Sequence, residues 1–339
     1  MDFTLTAEQD LLRRSLADYL ADHYDLGRSR AAAWSAEGWQ PEVWRAFADD
    51  LGILGAALPE EGGGPVETMV VAEELGRALV VEPFVDTAVL GGGVLRRAGA
   101  ADELKGLVAG SVRIAPALQT DVGARRVDGG WALTGTAAVV VGFPQATHVL
   151  VDAADGLFLV TADSSGLDAH PYRTIDDRHA ADLRFTDVPG TRLGTRDLLE
   201  PALDEATAAT CAEAVGCMRK VLADTVGYTK ERRQFGQAIG SFQVLQHRMV
   251  DMDLELELAV SAVYRAFLTS EAERAKAVSA AKVTVGRAAR FVGQSAVQLH
   301  GGMGMTQELA IGHYFKRLTA FEYEFGTADT HRRRYLRSV

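Results

Sequence analysis

Glu231-Arg232-Arg233-Gln234-Phe235-Gly236-Gln237-Ala238-Ile239-Gly240-Ser241-Phe242-Gln243 separates two long apolar-periodic segments. Ahead of it Cys211, Val215, Met218, Leu222 and Val226 recur every three or four residues, the spacing of one helix face. Behind it Leu245, Met249, Met252 and Leu256 do the same. The junction carries arginines and glutamines around an aromatic ring and helix-breaking glycines. Guanidinium forks beside side-chain amides at a helix junction suit a phosphate or pyrophosphate ester. The simpler reading is a charged helix end with a glycine stop. Residue chemistry alone leaves both open.

Outward from this junction the helical period dominates the C-terminal part. Helices are predicted over roughly 203–231, 241–269 and 272–299, with a shorter one near the C-terminus; Val285, Ala289, Val292, Ala296 and Leu299 continue the apolar stripe. Before residue 200 the texture differs. Val112 to Leu118, Trp131 to Thr134, Ala137 to Val141, Thr147 to Val151, Leu157 to Thr161 and Leu183 to Val188 are short runs rich in β-branched residues. Asp128-Gly129-Gly130, Gly142-Phe143-Pro144, Asp155-Gly156 and Pro189-Gly190 punctuate them as turns, which predicts a small all-β insert, a barrel or sandwich. Residues 1 to about 110 read as α-helical. Thr6 and Gln9 fit a capping box, Leu12, Leu16, Tyr19 and Leu20 make one apolar face, and a second helix starts near Pro41 with Val43, Trp44 and Phe47 inward. Pro59 to Pro65 reads as a loop, Met69, Ala72 and Leu75 mark the next helix, and Ala88 to Leu107 look helical with an interruption at Gly91-Gly92-Gly93.

Composition narrows the function classes. Lys plus Arg is 35 against 46 Asp plus Glu, a formal balance of −11, so the chain lacks the basic footprint of a nucleic-acid binder. Its two cysteines, Cys211 and Cys217, have no CxxC or His/Cys company, which argues against a disulfide framework or a metal site. They read as small apolar residues in a reduced compartment. Met1-Asp2-Phe3-Thr4-Leu5 lacks the basic and apolar regions of a signal peptide, and no run approaches the roughly 18 apolar residues of a spanning helix. The expectation is a soluble cytoplasmic protein.

The order of the motif residues adds a resemblance. Glu-Arg-Arg-Gln-Phe-Gly, then Ile239, then Phe242-Gln243, then Gln246 and Met249, closely resembles the acyl-CoA dehydrogenase signature. Gln298-Leu299-His300-Gly301-Gly302-Met303-Gly304 resembles that family's second motif, and Phe325-Gly326-Thr327 is a weaker third match; the likeness covers nearly the whole chain. The resemblance implies a mainly α fold with a β insert: an N-terminal helical domain (1–110), a middle β domain (111–200) and a C-terminal four-helix bundle domain (201–339). It implies a flavoenzyme in which FAD takes a hydride from Cβ of an acyl-CoA while a carboxylate removes the α proton. In the family each FAD site is shared by two subunits. One supplies the flavin-ring pocket and the base, its neighbour the adenosine diphosphate side.

This sequence keeps the neighbour's residues. Arg232 matches the pyrophosphate arginine, and Gln234, Phe235 and Gln243 match residues packed around it. Gln298, Gly301 and Gly302 match the adenosine-side cluster, where glycine permits close backbone approach. Singly, each could be a helix-surface polar group or a turn glycine. Gly301–Met305 is no dinucleotide fingerprint, because it follows a helix and lacks the G-x-G-x-x-G spacing. The other half departs from the family. The position of the catalytic glutamate is Phe325; the alternative base position, at the start of the first bundle helix, falls on Ala206 and Thr207. The Trp-Ile-Thr-Asn string that contacts the flavin ring aligns with Val139-Val140-Val141-Gly142, and no Thr-Glu-Pro counterpart occurs around Ala115–Thr120. No residue is assigned as catalytic.

Glu324 and Glu205 are the nearest candidates for a displaced base, with a solvated or ion-paired acid as their plainer reading. The whole pattern resembles the short, glutamate-lacking subunit of heteromeric α2β2 acyl-CoA dehydrogenases of actinobacterial steroid side-chain degradation. That implies a homologous partner subunit carrying the glutamate, an acyl-CoA substrate and an electron-transfer acceptor. The alternatives are a homotetrameric dehydrogenase or flavin oxygenase with a relocated base, and a flavin-free binding or scaffold protein. His331-Arg332-Arg333-Arg334 could meet CoA phosphates, an interface or solvent, the last two being simpler.

Overall fold

A computed structural model describes residues 4–337; Met1–Phe3, the start of the stretch read above as no signal peptide, and Ser338 and Val339 lie outside the described residues. Thr6 caps α1 (Ala7–His23): its hydroxyl accepts from the Gln9 N–H while the Gln9 side chain accepts from the Thr6 N–H, the expected box. A short α2 (Leu26–Trp34) precedes α3 (Pro41–Asp49), which opens on its proline and buries Val43, Trp44 and Phe47. Two local expectations change. Pro59–Glu61 forms a 3-10 turn and Pro65 is the first residue of α4 (Pro65–Arg77), a position where the missing N–H costs nothing. Gly91–Gly93 interrupt no helix: a π-helical turn, Val85–Gly91, runs straight into α5 (Gly92–Ala98). The break falls at Gly99, before α6 (Ala101–Val108).

The β insert has seven strands: β1 (Ile114–Ala117), β2 (Gly123–Val127), β3 (Gly130–Val141), β4 (His148–Ala153), β5 (Gly156–Thr161), β6 (Leu167–Arg173) and β7 (His179–Gly194). Their order is β1-β4-β5-β7-β3-β2, with β6 also on β7. The runs 131–134 and 137–141 are one strand, β3, irregular between Leu133 and Gly135 and between Ala137 and Val140. Pro189-Gly190 does not end β7, which continues opposite Ala132 and Trp131 and then pairs with β5. Because β7 belongs to both halves of the sheet, Val149, Phe158 and Val160 share one core with Leu133, Leu183 and Phe185.

The C-terminal helices are α7 (Leu199–Glu231), α8 (Gln243–Leu268), α9 (Glu271–His300), α10 (Ala310–Phe321) and α11 (Ala328–Arg337). Most of their predicted stripes are buried, Cys211, Val215 and Met218 on α7, Met252 and Leu256 on α8, and Val285, Ala289, Val292, Ala296 and Leu299 on α9, whereas Leu222, Val226, Leu245 and Met249, toward the signature junction, are half-buried. Both cysteines are buried free thiols. The molecule divides into two compact units, Met1–Leu26 with Met69–Val80 and Thr207–Val339, and Gly27–Thr68 with Val81–Ala206. In the first, α4 and α7 meet backbone to backbone. A Cβ on Gly76 would stand 2.0 Å from the Glu213 carbonyl oxygen, and one on Gly216 1.9 Å from that of Glu73. Only glycine fits at either crossing point. Among the described residues no helix is long and apolar enough to cross a membrane.

Candidate cofactor site

The signature stretch is a short arm between α7 and α8. Arg233–Gln234 (β8) and Gln237–Ala238 (β9) form a two-stranded hairpin over Phe235-Gly236, and a 3-10 turn, Ile239–Ser241, leads into α8. The arm folds back on the end of α7: the Ile239 N–H donates to the Arg232 carbonyl, and Gly240 lies so close to Thr229 that a Cβ would stand 3.0 Å from its carbonyl oxygen. The second motif joins it there. The rings of Tyr228 and His300 stack with centroids 4.2 Å apart, which brings Gln298, Gly301 and Gly302 to the same end of the helices as Arg232 and Gln243.

These groups are exposed and unspent. The guanidinium of Arg232 and the side-chain amides of Gln243 and Gln298 make no hydrogen bond or ion pair among the described residues. Gln234 reaches only its neighbour's carbonyl, Arg233. Gly301 has φ 62 and ψ −144, a conformation open to glycine alone, with empty space where a Cβ would point; space is open at Gly302 too. Phe235 is 90% exposed at φ 53, touching Phe242 edge-on. A large apolar side chain held in water on a strained backbone marks a segment shaped for something other than this chain's own core.

The Phe325 turn is built in the opposite way. Phe325 (φ 50) and Gly326 (φ 107) turn the chain between α10 and α11. The ring of His331, buried, bridges the Phe325 carbonyl (3.0 Å) and the Ser279 hydroxyl (3.3 Å). Glu324, the nearest candidate for a displaced base, is ion-paired: Arg317 grips both its oxygens at 2.6 and 2.7 Å and reaches Glu213 at 2.7 Å. Beside it Lys282, 1% exposed, donates to the Phe321 carbonyl at 2.6 Å. Burial pushes its ammonium down to about 8, against the opposing pull of neighbours that include Glu324. A cleft of about 550 Å³ opens next to the turn, lined by Lys282, Arg287, Arg290, Gln294 and Thr327 among others. Its arginines are engaged, Arg287 with Glu255 and Arg290 with Glu322.

Ser279 and Gln298 are nineteen residues apart on α9, about 28 Å along its axis. The Phe325 turn and the Gln298–Gly302 cluster therefore stand toward opposite ends of one helix. Ala206 and Thr207 are buried in α7, and Glu205 accepts from both terminal guanidinium nitrogens of Arg97 at 2.6 and 3.0 Å. At the flavin-string position Val139 sits at φ 54, where its N–H donates to Asp182. That N–H and the Tyr172 hydroxyl hold the Asp182 carboxyl below the usual range. Lys282 and Arg317 were not singled out in the sequence, although each is a cation at a buried periodic position of its helix. Of the basic cluster, His331 is buried and Arg332 pairs with Asp329.

Two family descriptions match: acyl-CoA dehydrogenase, N-terminal domain, over residues 6–124, and acyl-CoA dehydrogenase, C-terminal domain, over residues 194–339. The acyl-CoA dehydrogenase IpdE2 of Mycolicibacterium smegmatis is 32% identical over 92% of this chain and 93% of its own. The chain belongs to the acyl-CoA dehydrogenase family. Among solved structures it is similar to a variant of the Tcur3481-Tcur3483 steroid ACAD, with TM-score 0.90 and 31% identity over 99% of this chain and 98% of the other. It is also similar to the ChsE4-ChsE5 complex of Mycobacterium tuberculosis, with TM-score 0.92 and 26% identity over the same shares. The mainly helical fold with its β insert is thus an acyl-CoA dehydrogenase fold.

Proposed function

We propose that this chain is the adenosine-side subunit of a heteromeric, FAD-dependent acyl-CoA dehydrogenase that α,β-dehydrogenates an acyl-CoA thioester, with a bulky steroid side-chain acyl-CoA as substrate. The observation that carries the reading is the separation along α9: unspent donors at one end, a baseless turn about 28 Å away at the other. The donor set fits the adenosine diphosphate end of FAD. Arg232 binds the pyrophosphate as a charge-assisted fork, Gln234, Phe235 and Gln243 position it, and Gln298 with the open backbone of Gly301 and Gly302 takes the adenosine side. When bound, FAD supplies the acceptor for the hydride leaving Cβ. The α proton needs a positioned base, and this chain offers none: Phe325 fills the expected position, while Glu324 and Glu205 are held by arginines. The base and the flavin-ring pocket therefore come from a homologous partner in an α2β2 assembly. Relatives named as a steroid enzyme and as a two-chain complex support both the substrate class and the heteromer. The stretches 1–110, 111–200 and 201–339 keep their proposed roles as helical, β and bundle domains.

The test is co-expression with a homologous acyl-CoA dehydrogenase chain, followed by flavin content and turnover. Arg232→Ala strips flavin from the complex, about tenfold or more in affinity for a lost charge-assisted pair, while Glu324→Gln and Glu205→Gln keep turnover. Loss of turnover in either acid variant points instead to a relocated base. Unchanged flavin in Arg232→Ala removes the assigned role of the arginine.

A further inference from the structure

Two motifs make up the candidate site, and one pair of rings ties them together. Tyr228 lies in the last turn of α7, where its carbonyl accepts from the Arg232 N–H at 2.8 Å. His300 is the last residue of α9 and directly precedes Gly301, whose N–H donates to the Gln298 carbonyl. The two rings stack with centroids 4.2 Å apart and planes 25° apart. Among the described residues no hydrogen bond or ion pair crosses from 228–243 to 298–306; the stacked rings do.

The imidazole is held for this contact. His300 is buried, and its Nδ1 meets the Ala296 carbonyl at 2.8 Å, so Nδ1 carries a proton and donates it. The preceding turn of α9 thus fixes the plane against which Tyr228 lies. The Tyr228 hydroxyl makes no hydrogen bond among the described residues, so within the chain this residue contributes the face of its ring. A stacked pair adds attraction beyond the area it buries. Arg232 and Gln298 stand at the ends of two different helices, and one ligand can use both only if those ends keep their spacing. Binding constellations keep their strength only within about 0.5 Å of the productive geometry.

We propose that Tyr228 and His300 are positioning residues of the cofactor site: their stack sets the spacing between the pyrophosphate fork of Arg232 and the adenosine-side cluster of Gln298, Gly301 and Gly302, and neither ring touches the cofactor. The proposal rests on the FAD reading above and adds what holds the two motifs in register.

The experiment titrates FAD and adenosine diphosphate into the flavin-stripped complex of this chain with a homologous acyl-CoA dehydrogenase chain, and follows thermal unfolding in parallel. Tyr228→Leu and His300→Leu each weaken both ligands about three- to tenfold, the worth of one aromatic pair. The double variant loses no more than either single one, because both remove the same contact. Tyr228→Phe and His300→Phe keep a ring and bind like the wild type. Where a leucine variant fails to fold, methionine takes its place with the same expected loss. A loss in Tyr228→Phe as large as in Tyr228→Leu, or in His300→Phe as large as in His300→Leu, means that the hydroxyl or Nε2 meets the cofactor directly, and overturns the positioning role. Leucine variants that unfold earlier but bind both ligands normally make the stack a support of the fold alone, which overturns it too. Arg232→Ala separates the two levels. If it strips flavin while the leucine variants do not, this inference alone falls; if it also keeps flavin, the reading beneath falls with it.

Discussion

At the C-terminal end of α9, Arg232, Gln243 and Gln298 hold their polar groups out in water with no side-chain partner among the described residues. Some 28 Å back along the same helix, around Ser279 and the Phe325 turn, the chain does the reverse. Lys282 is spent on a carbonyl, Arg317 on two carboxylates, Arg290 on Glu322. Water solvates an unpaired group at the surface at no cost, whereas a buried charge must be matched inside the chain. The difference teaches which end is finished. The Phe325 end satisfies itself within the chain; the signature end leaves its polar groups open to water, as the proposed half-site requires.

The finished end should break hardest. Arg317→Ala leaves Glu213 and Glu324 facing each other in a nearly dry site, and urea unfolding should show a loss of about 3–5 kcal/mol, as for a broken buried pair. A loss as small as that of a surface ion pair would mean the network is wetter than its geometry. The signature end should yield less. Gly301→Ala forces a Cβ onto a backbone at φ 62, ψ −144, costing about 1–3 kcal/mol. Because space is open there, that cost is conformational and appears as local loosening with weaker flavin retention in the complex. Unchanged retention would show that the turn's shape is irrelevant to binding.

The smallest effect is a slope. Burial brings Lys282 from its ordinary 10.5 to about 8. Between those values the unfolded chain holds more protons at this site than the folded one, so Lys282 makes stability rise with pH, by at most about 1.4 kcal/mol per unit. Burial pushes the Cys211 thiol from 9.0 up to about 12, which lowers stability as pH climbs past 9. The clean window is therefore pH 8 to 9. Lys282→Met should flatten the wild-type rise there in paired urea titrations, and an identical slope in both proteins would place the charge of Lys282 elsewhere.

The sequence made the long helices legible because α7, α8 and α9 carry apolar stripes that the structure buries along α9 and in the middle of α7 and α8, while Leu222, Val226, Leu245 and Met249 near the signature junction are only half-buried. It split β3 in two because Gly135 and the irregularity before Val140 break the alternation of a single strand. It passed over β2 (Gly-Ala-Arg-Arg-Val) and β6 (Leu-Asp-Ala-His-Pro-Tyr-Arg), whose side chains are mostly exposed and polar. Pro189 read as a stop, yet it sits within β7, opposite Ala132. At the candidate site, the identities of Arg232, Gln298 and Phe325 came from motif order. Their placement at two ends of α9 did not, because it depends on the Tyr228–His300 stack and the His331–Ser279 contact. The ion pairs of Glu324 and Glu205 were likewise hidden. Glu205 meets Arg97 across 108 positions of sequence, and Glu324 meets Arg317 across a helix end.

The most direct test is flavin content and molecular mass of this chain expressed alone and then with a homologous acyl-CoA dehydrogenase chain. A half-site predicts a flavin-free chain alone, and a yellow α2β2 complex with one FAD for each pair of unlike chains. A homotetramer from this chain alone, holding one FAD per subunit, would contradict the account.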